Sequence, residues 1–237
     1  MGMIDYELDE HVAVLTMNHG ENKFTFEFFD AFHQVLDEIL EKTDTRVLVV
    51  KSSHEKIWCN GIDLDWLIPL IQQDPEMASQ FPERLTGLYR RILMYPMITV
   101  AAINGHAFAG GCIMAAAFDF RFMRSDRGFF CLPEVNIGIP LAPSMVALME
   151  KAVPMYKFLE MQYLGARLTA DQCAEHHIVM KACHLDDLMG EVMAFAKQHP
   201  KERNMLQTMK EITNKEMLRI FDVDDPAFFA SGKTGLG

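Results

Sequence analysis

Residues 101–120 read "AAINGHAFAGGCIMAAAFDF". They leave an apolar segment, pass through a turn holding Gly105, Gly110 and Gly111, and enter the run Cys112-Ile113-Met114-Ala115-Ala116-Ala117. Glycine pairs let a backbone turn tightly or come close to another group. An Ala-rich run is a good helix former. A Gly-Gly step that opens a helix leaves bare N–H groups at its start, and these can hold a phosphate or a developing oxyanion. The segment before the turn, "MITVAAI" (97–103), is a short continuous apolar run, the mark of a strand buried on both faces.

The same pattern occurs earlier. "RVLVVKS" (46–52) is a second buried-strand run, and "KIWCNGIDLDWL" (56–67) follows it with glycine at its turn and helix-like sequence after. Two neighbouring strands ending in such turns can aim two backbone N–H groups at one point, as in an oxyanion hole. Taken residue by residue they read equally well as two ordinary strand-to-helix turns. A dinucleotide site is excluded by spacing, since no G-x-G-x-x-G occurs and no P-loop lysine follows.

Further out, "HVAVLTM" (11–17) reads as a strand and "FDFRFMRS" as another. Residues 27–42 read as a helix, with Phe28, Phe29, Phe32, Val35, Leu36, Ile39 and Leu40 on one face. Strands alternating with helices predict an α/β fold with crossover connections. From about Pro143 the chain is mostly helical. Thr169 with Gln172 three residues on predicts a capping box, and "LDDLMGEVMAFAKQH" and "KERNMLQTMKEITNKEMLRIF" follow as amphipathic helices. A boundary near residue 165 divides a mixed core, 1–165, from a helical region, 166–237.

The 237 residues are half hydrophobic, ample for one large core. The formal net charge is −11 with no block of basic residues, which argues against nucleic acid as a partner. No uncharged apolar span approaches ~20 residues, so no membrane helix is expected. Five cysteines, an odd number with no CxxC pair, suit a reduced cytoplasmic chain. The opening "MGMIDYELDEHVAVL" lacks a basic flank followed by an apolar run. The tail "SGKTGLG" reads as disordered and ends in no peroxisomal or retention tripeptide.

Four stretches together resemble the crotonase (enoyl-CoA hydratase/isomerase) superfamily. "NGIDL" resembles the family's G-A-D-I/L turn, and "AAINGHAFAGGC" its A-V-N-G-x-A-x-G-G-G-C segment. "FFCLPEVNIGI" resembles F-x-x-P-E-x-x-x-G, and "YLGARLTADQCAEHHIV" resembles L-T-G-x-x-x-x-A-x-x-A-x-x-x-G-L-V. Each is weak alone. Four in order, at family-like separations, are specific. The resemblance implies a crotonase-like spiral of ββα units with a helical C-terminal region at subunit contacts of a homotrimer or a dimer of trimers. It implies an acyl-CoA thioester as substrate, with no metal and no separate cofactor.

It also implies site residues. The two N–H groups that hold the thioester oxygen align with Ile62 and Gly110, and Asn60, Gly61, Asp63, Leu64, Gly111 and Asn136 fall against the substrate. Hydratases of the family use two glutamates about a water. The first position is Ile113 here, which transfers no proton; the second aligns with Glu134. One carboxylate suffices to move a proton from C2 to C4 of one substrate, so the pattern resembles the Δ3,Δ2-enoyl-CoA isomerases. "IPLAPSM" in place of the hydratases' P-G-x-G-G agrees with this. Weak hydration, thioester hydrolysis or acyl-CoA binding without chemistry stay open.

Plainer readings stand beside these. Glu134 on its own reads as a surface or salt-bridged glutamate, although Phe129, Phe130, Leu132, Val135 and Ile137 around it would raise its pKa. Asp63 and Asp65 read as caps of a helix start, and Asn60 as polar turn filler. Asn136 is a candidate for orienting water or substrate. His106 reads as loop structure and Cys112 as a buried small hydrophobe. His176-His177 face different sides of a helix and suggest no metal. The eighteen methionines read as core filler with some available for an acyl pocket, and Lys56 as solvated or facing a CoA phosphate.

Overall fold

The computed structural model describes residues 2–232; most of the tail whose sequence predicts disorder, residues 233–237, lies outside them. Six strands form the large sheet in the order β1 (Ile4–Asp9), β2 (Val12–Met17), β4 (Val47–Ser52), β7 (Ile98–Ile103), β9 (Phe120–Arg124) and β12 (Lys181–Cys183). Within this sheet only β1 and β2 pair antiparallel; every later pairing there is parallel. Short strands make two further sheets. β3 (Lys23–Phe24) pairs with β6 (Gly61–Ile62), and β5 (Ile57–Cys59), β8 (His106–Phe108), β10 (Phe130–Cys131) and β11 (Arg167–Leu168) lie side by side.

A single unit repeats along the chain. A long strand of the large sheet is followed by a short strand of another sheet, then by helix. β2 leads to β3 and α1 (Phe26–Lys42); β4 leads to β5, β6, α2 (Leu64–Gln73), α3 (Pro75–Ala78) and α4 (Phe81–Leu93). β7 leads to β8 and α5 (Gly110–Ala117); β9 leads to β10, α6 (Glu134–Ile137), α7 (Pro143–Ala152) and α8 (Met155–Leu164). This is the crotonase-like spiral of ββα units. The chain closes with α9 (Ala170–Glu175), α10 (Leu185–Gln198), α11 (Arg203–Thr213), α12 (Lys215–Arg219), a π-helical turn (Ile220–Asp224) and α13 (Asp225–Ala230).

The continuous apolar runs follow from burial on both faces of the large sheet. On one face Leu15, Leu48, Val50, Ala101 and Ile103 pack in the main core with α1, α4 and α5. On the other, Val14, Val47, Val49, Val100 and Phe122 pack with Leu188, Val192 and Ala196 of α10. Three details differ from the sequence reading. His106 opens strand β8 and is not loop. β1 escapes detection because it is an edge strand, exposed at Glu7, Leu8 and Asp9. The long helix expected after residue 201 breaks at Asn214, whose amide folds back onto the Lys210 carbonyl at 3.0 Å in competition with the helix backbone. The capping box at Thr169 and Gln172 is present. Among the described residues no helix is long and apolar enough to cross a membrane.

Candidate active site

The two glycine turns meet. Gly61 has φ +75°, which disfavours any side chain, and a Cβ built on it would lie 2.7 Å from the Gly110 nitrogen. Gly111 is pressed against the Cys59 backbone, where a Cβ would run into the carbonyl oxygen. Glycine at these places is therefore required by the approach of β5 and β6 to the start of α5.

That approach orients two N–H groups. Asp63 N–H donates to the Phe24 carbonyl at 3.2 Å, toward β3. Successive N–H groups of an extended strand point to opposite sides, so Ile62 N–H points away from β3, toward α5. At α5 the Ala109 carbonyl accepts Cys112 N–H at 2.9 Å and Ile113 N–H at 3.2 Å, inside the helix. The peptide is trans, so Gly110 N–H points opposite to the Ala109 carbonyl within the same plane, out of the helix end. Ala109 holds this turn at φ 52°, ψ −129°, a strained conformation for a residue with a Cβ. Its own N–H is tied to the Cys131 carbonyl at 3.0 Å, which fastens the turn to β10. β3 is fixed in turn by Asn22, whose buried amide donates to Ser52 Oγ and the Trp58 carbonyl at 2.8 and 2.9 Å.

Ile62 and Gly110 face two cavities, and Glu134 faces both with them. The inner cavity is about 60 Å³ and almost wholly apolar, walled by Ile113, Leu85, Met145, Phe228 and Phe229 among others. Among the described residues Glu134 is its one carboxylate. The outer cavity is about 280 Å³ and holds Lys23, Asn60, Leu64, Asp65 and Phe108. Glu134 is 8% exposed, its Oε2 has no hydrogen-bond partner, and burial pushes its carboxyl up to about 7. The surface or salt-bridged reading of this residue does not hold. A carboxylate of that kind is a base poised near neutrality, and two converging N–H groups can stabilise an oxygen that gains negative charge.

The far end of α5 is clamped by cations. Lys151 Nζ lies 3.0 and 2.8 Å from the carbonyls of Ala116 and Phe118, and Arg121 Nη1 lies 2.8 Å from the latter. These charges sit at the negative end of the helix dipole, opposite the end that faces the cavities. Burial lowers Lys151 to about 7 and Arg121 to about 10.

The remaining sequence candidates divide. Asn60 Nδ2 donates to Glu21 at 3.1 Å and Leu64 lines the outer cavity. Asp63 occupies the N-cap of α2, yet its side chain caps nothing; it lies 3.9 Å from Lys23, which also neighbours Glu21 and Asp65 at 3.7 Å. Asn136 is exposed and lies against Gly165, outside the cavity walls. Two residues beyond Glu134 in one helical turn, it faces a different side. Lys56 is exposed and lines neither cavity. Cys112 is fully buried, and Met145 is a methionine of the inner wall. No cluster among the described residues could hold a metal ion.

Sequence reasoning missed Tyr89, Phe228 and Phe229. α4 was legible in "RLTGLYRRIL", where Leu85, Leu88, Tyr89 and Ile92 follow the spacing of a buried helix face. The phenylalanines carry no local signal beyond hydrophobicity.

Comparison with known proteins gives a consistent picture. Residues 7–220 match the enoyl-CoA hydratase/isomerase family. The chain is 30% identical over 179 residues to enoyl-CoA delta isomerase 3 of Arabidopsis thaliana, covering 73% of each. It is 27% identical over 184 residues to the peroxisomal enoyl-CoA delta isomerase 1 of the same plant, covering 76% of this chain and 75% of that one. In fold it resembles the crystal structure of an enoyl-CoA hydratase/isomerase family protein from Pseudomonas syringae. There the TM-score is 0.86 at 23% identity, covering 96% of this chain and 97% of that one.

Proposed function

The chain belongs to the enoyl-CoA hydratase/isomerase family, and from that premise we propose that it is a Δ3,Δ2-enoyl-CoA isomerase working through one glutamate. The observation that supports the reading is the inner cavity: among the described residues Glu134 is its one carboxylate, and Ile113, the residue that the family resemblance aligns with the hydratases' other glutamate, lines the same cavity.

The chemistry follows from the walls. The thioester oxygen accepts from Ile62 and Gly110 N–H. Ionised Glu134 takes a proton from C2, and the electrons of that C–H bond pass into the conjugated enolate, with negative charge on the thioester oxygen. Each aimed donor is worth about 3 kcal/mol of transition-state stabilisation. Glu134, now neutral, returns the proton to C4. The charge collapses from oxygen, the C3–C4 double bond becomes C2–C3, and no atom is gained or lost. Apolar neighbours keep water from the enolate, which favours return of the proton over side reactions.

The test is product analysis under one set of conditions. Wild-type protein should turn 3-enoyl-CoA into 2-enoyl-CoA much faster than it makes 3-hydroxyacyl-CoA from 2-enoyl-CoA. Equal or faster hydration would overturn the isomerase assignment within the family.

Two coarser inferences accompany this. We infer assembly into a trimer or a dimer of trimers, supported by the exposed stripe Met205, Met209 and Ile212 on α11, which subunit contact would cover. Sedimentation analysis reads that state directly. We also infer a reducing location such as the cytosol, supported by five free cysteines, four of them buried.

A further inference from the structure

Among the described residues that line the inner cavity, one besides Glu134 has a side chain that can hydrogen-bond: Tyr89 of α4. Its ring is fully buried, with its edge toward Phe24 at 6.3 Å between centroids. Its hydroxyl donates to the Gly110 carbonyl at 3.0 Å. The same hydroxyl lies where a Gly110 side chain would go: a Cβ there would be 2.9 Å from the oxygen and 2.9 Å from the Phe24 ring. Burial holds the phenol well above its ordinary pKa, so it remains a donor and no shuttle for protons.

The first turn of α5 is thus held from three sides. Ala109 is tied to β10, Gly111 rests on the Cys59 backbone, and Gly110 is gripped through its carbonyl by α4. The first two grips fix neighbouring residues. The Ala109 carbonyl, bonded to Cys112 and Ile113 N–H, holds the peptide plane that carries the Gly110 N–H, and the third grip holds the following plane through the Gly110 carbonyl, so that Gly110 is fixed on both sides. An N–H that stabilises a developing charge must be aimed before the charge appears, and small displacements of such donors are costly.

We propose that Tyr89 is a positioning residue for the reaction: its bond to the Gly110 carbonyl fixes the aim of the Gly110 N–H at the thioester oxygen. The proposal rests on the reading of this site as one that stabilises an acyl-CoA enolate. The hydroxyl is not needed to fill the core, because phenylalanine buries the same ring. The Gly110 carbonyl, first in its helix, also has the backbone N–H four residues on as a partner.

The experiment compares wild type with Tyr89→Phe in four measurements. They are kcat and KM with a 3-enoyl-CoA, Kd for a saturated acyl-CoA, the melting temperature, and the near-ultraviolet absorbance of a bound 3-oxoacyl-CoA, which reports its enolate fraction. The expected result is a fall in kcat of roughly ten- to a hundredfold, somewhat less than loss of a whole donor. The enolate fraction should fall with it, while KM and the saturated-ligand Kd stay within about threefold. Unchanged kcat and enolate fraction would overturn the proposal. So would a loss of saturated-ligand affinity matching the loss of kcat, or a variant that fails to fold, since the hydroxyl would then hold the fold and not one N–H. Wild-type protein that neither enolises the 3-oxoacyl-CoA nor isomerises would instead bring down the enolate reading itself.

Discussion

In the proposed reaction Glu134 takes the proton only while ionised, and burial pushes its carboxyl up to about 7. For the free enzyme kcat/KM should be level above that pH and fall about tenfold per unit below it, read from a pH profile with 3-enoyl-CoA. Glu134→Gln should lose at least about a thousandfold in kcat while still binding acyl-CoA. Stability should move the other way. A carboxyl raised by folding contributes stability that is complete below its unfolded value and lost as pH rises through about 7. The amide carries no charge, so the variant should be more stable than wild type by about 2–3 kcal/mol at pH 8 and little different at pH 4, measured by denaturant melts. The glycines give the complementary case. Gly61→Ala sets a Cβ against the Gly110 nitrogen at an unfavourable φ. It should destabilise by about 1–3 kcal/mol and cut kcat by ten- to a hundredfold, because it pushes the two turns apart. Both positions stood out in the sequence through the family resemblance of the short motifs that hold them; Glu134 on its own read as a surface glutamate, because its burial is set by packing. Asn136 was not, because proximity along the chain says nothing about which side of a single turn faces inward.

Among the elements, α13 decides the size of the inner cavity. The Asp225 carboxylate accepts Ser144 N–H at 2.9 Å, which docks α13 on the start of α7, and Arg90 holds Asp222 of the preceding π-helical turn at 2.7 Å. Phe228 and Phe229 are thereby set as the end wall. Shortening Phe229 to Ala should shift preference toward longer acyl chains by roughly tenfold in relative kcat/KM, with little effect on the shortest substrate. A series of 3-enoyl-CoA chain lengths measures it, and an unchanged profile would show that the tail leaves the cavity elsewhere. Strands and most helices could be read in advance because burial on two faces writes continuous apolar runs and burial on one face writes a helical period. Which face of α4 or α13 meets the cavity is settled only when the helices pack, so Tyr89 and the two phenylalanines looked like any other core residues.

Across the whole molecule, the site is assembled from distant parts of the chain: Ile62, Gly110, Glu134, Met145, then Phe228 and Phe229. The β4 and β7 units add one N–H donor each, the β9 unit adds Glu134 and Met145, and the closing helix α13 adds the two phenylalanines, while the large sheet holds the units in register. The order of the components is also an order of arrival. A ribosome delivers the base and both N–H donors early, and the end wall some 80 residues after Met145; at about 5–20 residues per second that interval lasts roughly 4–16 s. During it the growing chain carries Glu134 and both N–H donors of the proposed reaction but not the phenylalanines of the end wall. On the proposed reading, selectivity for chain length is thus acquired during synthesis after the groups that do the chemistry.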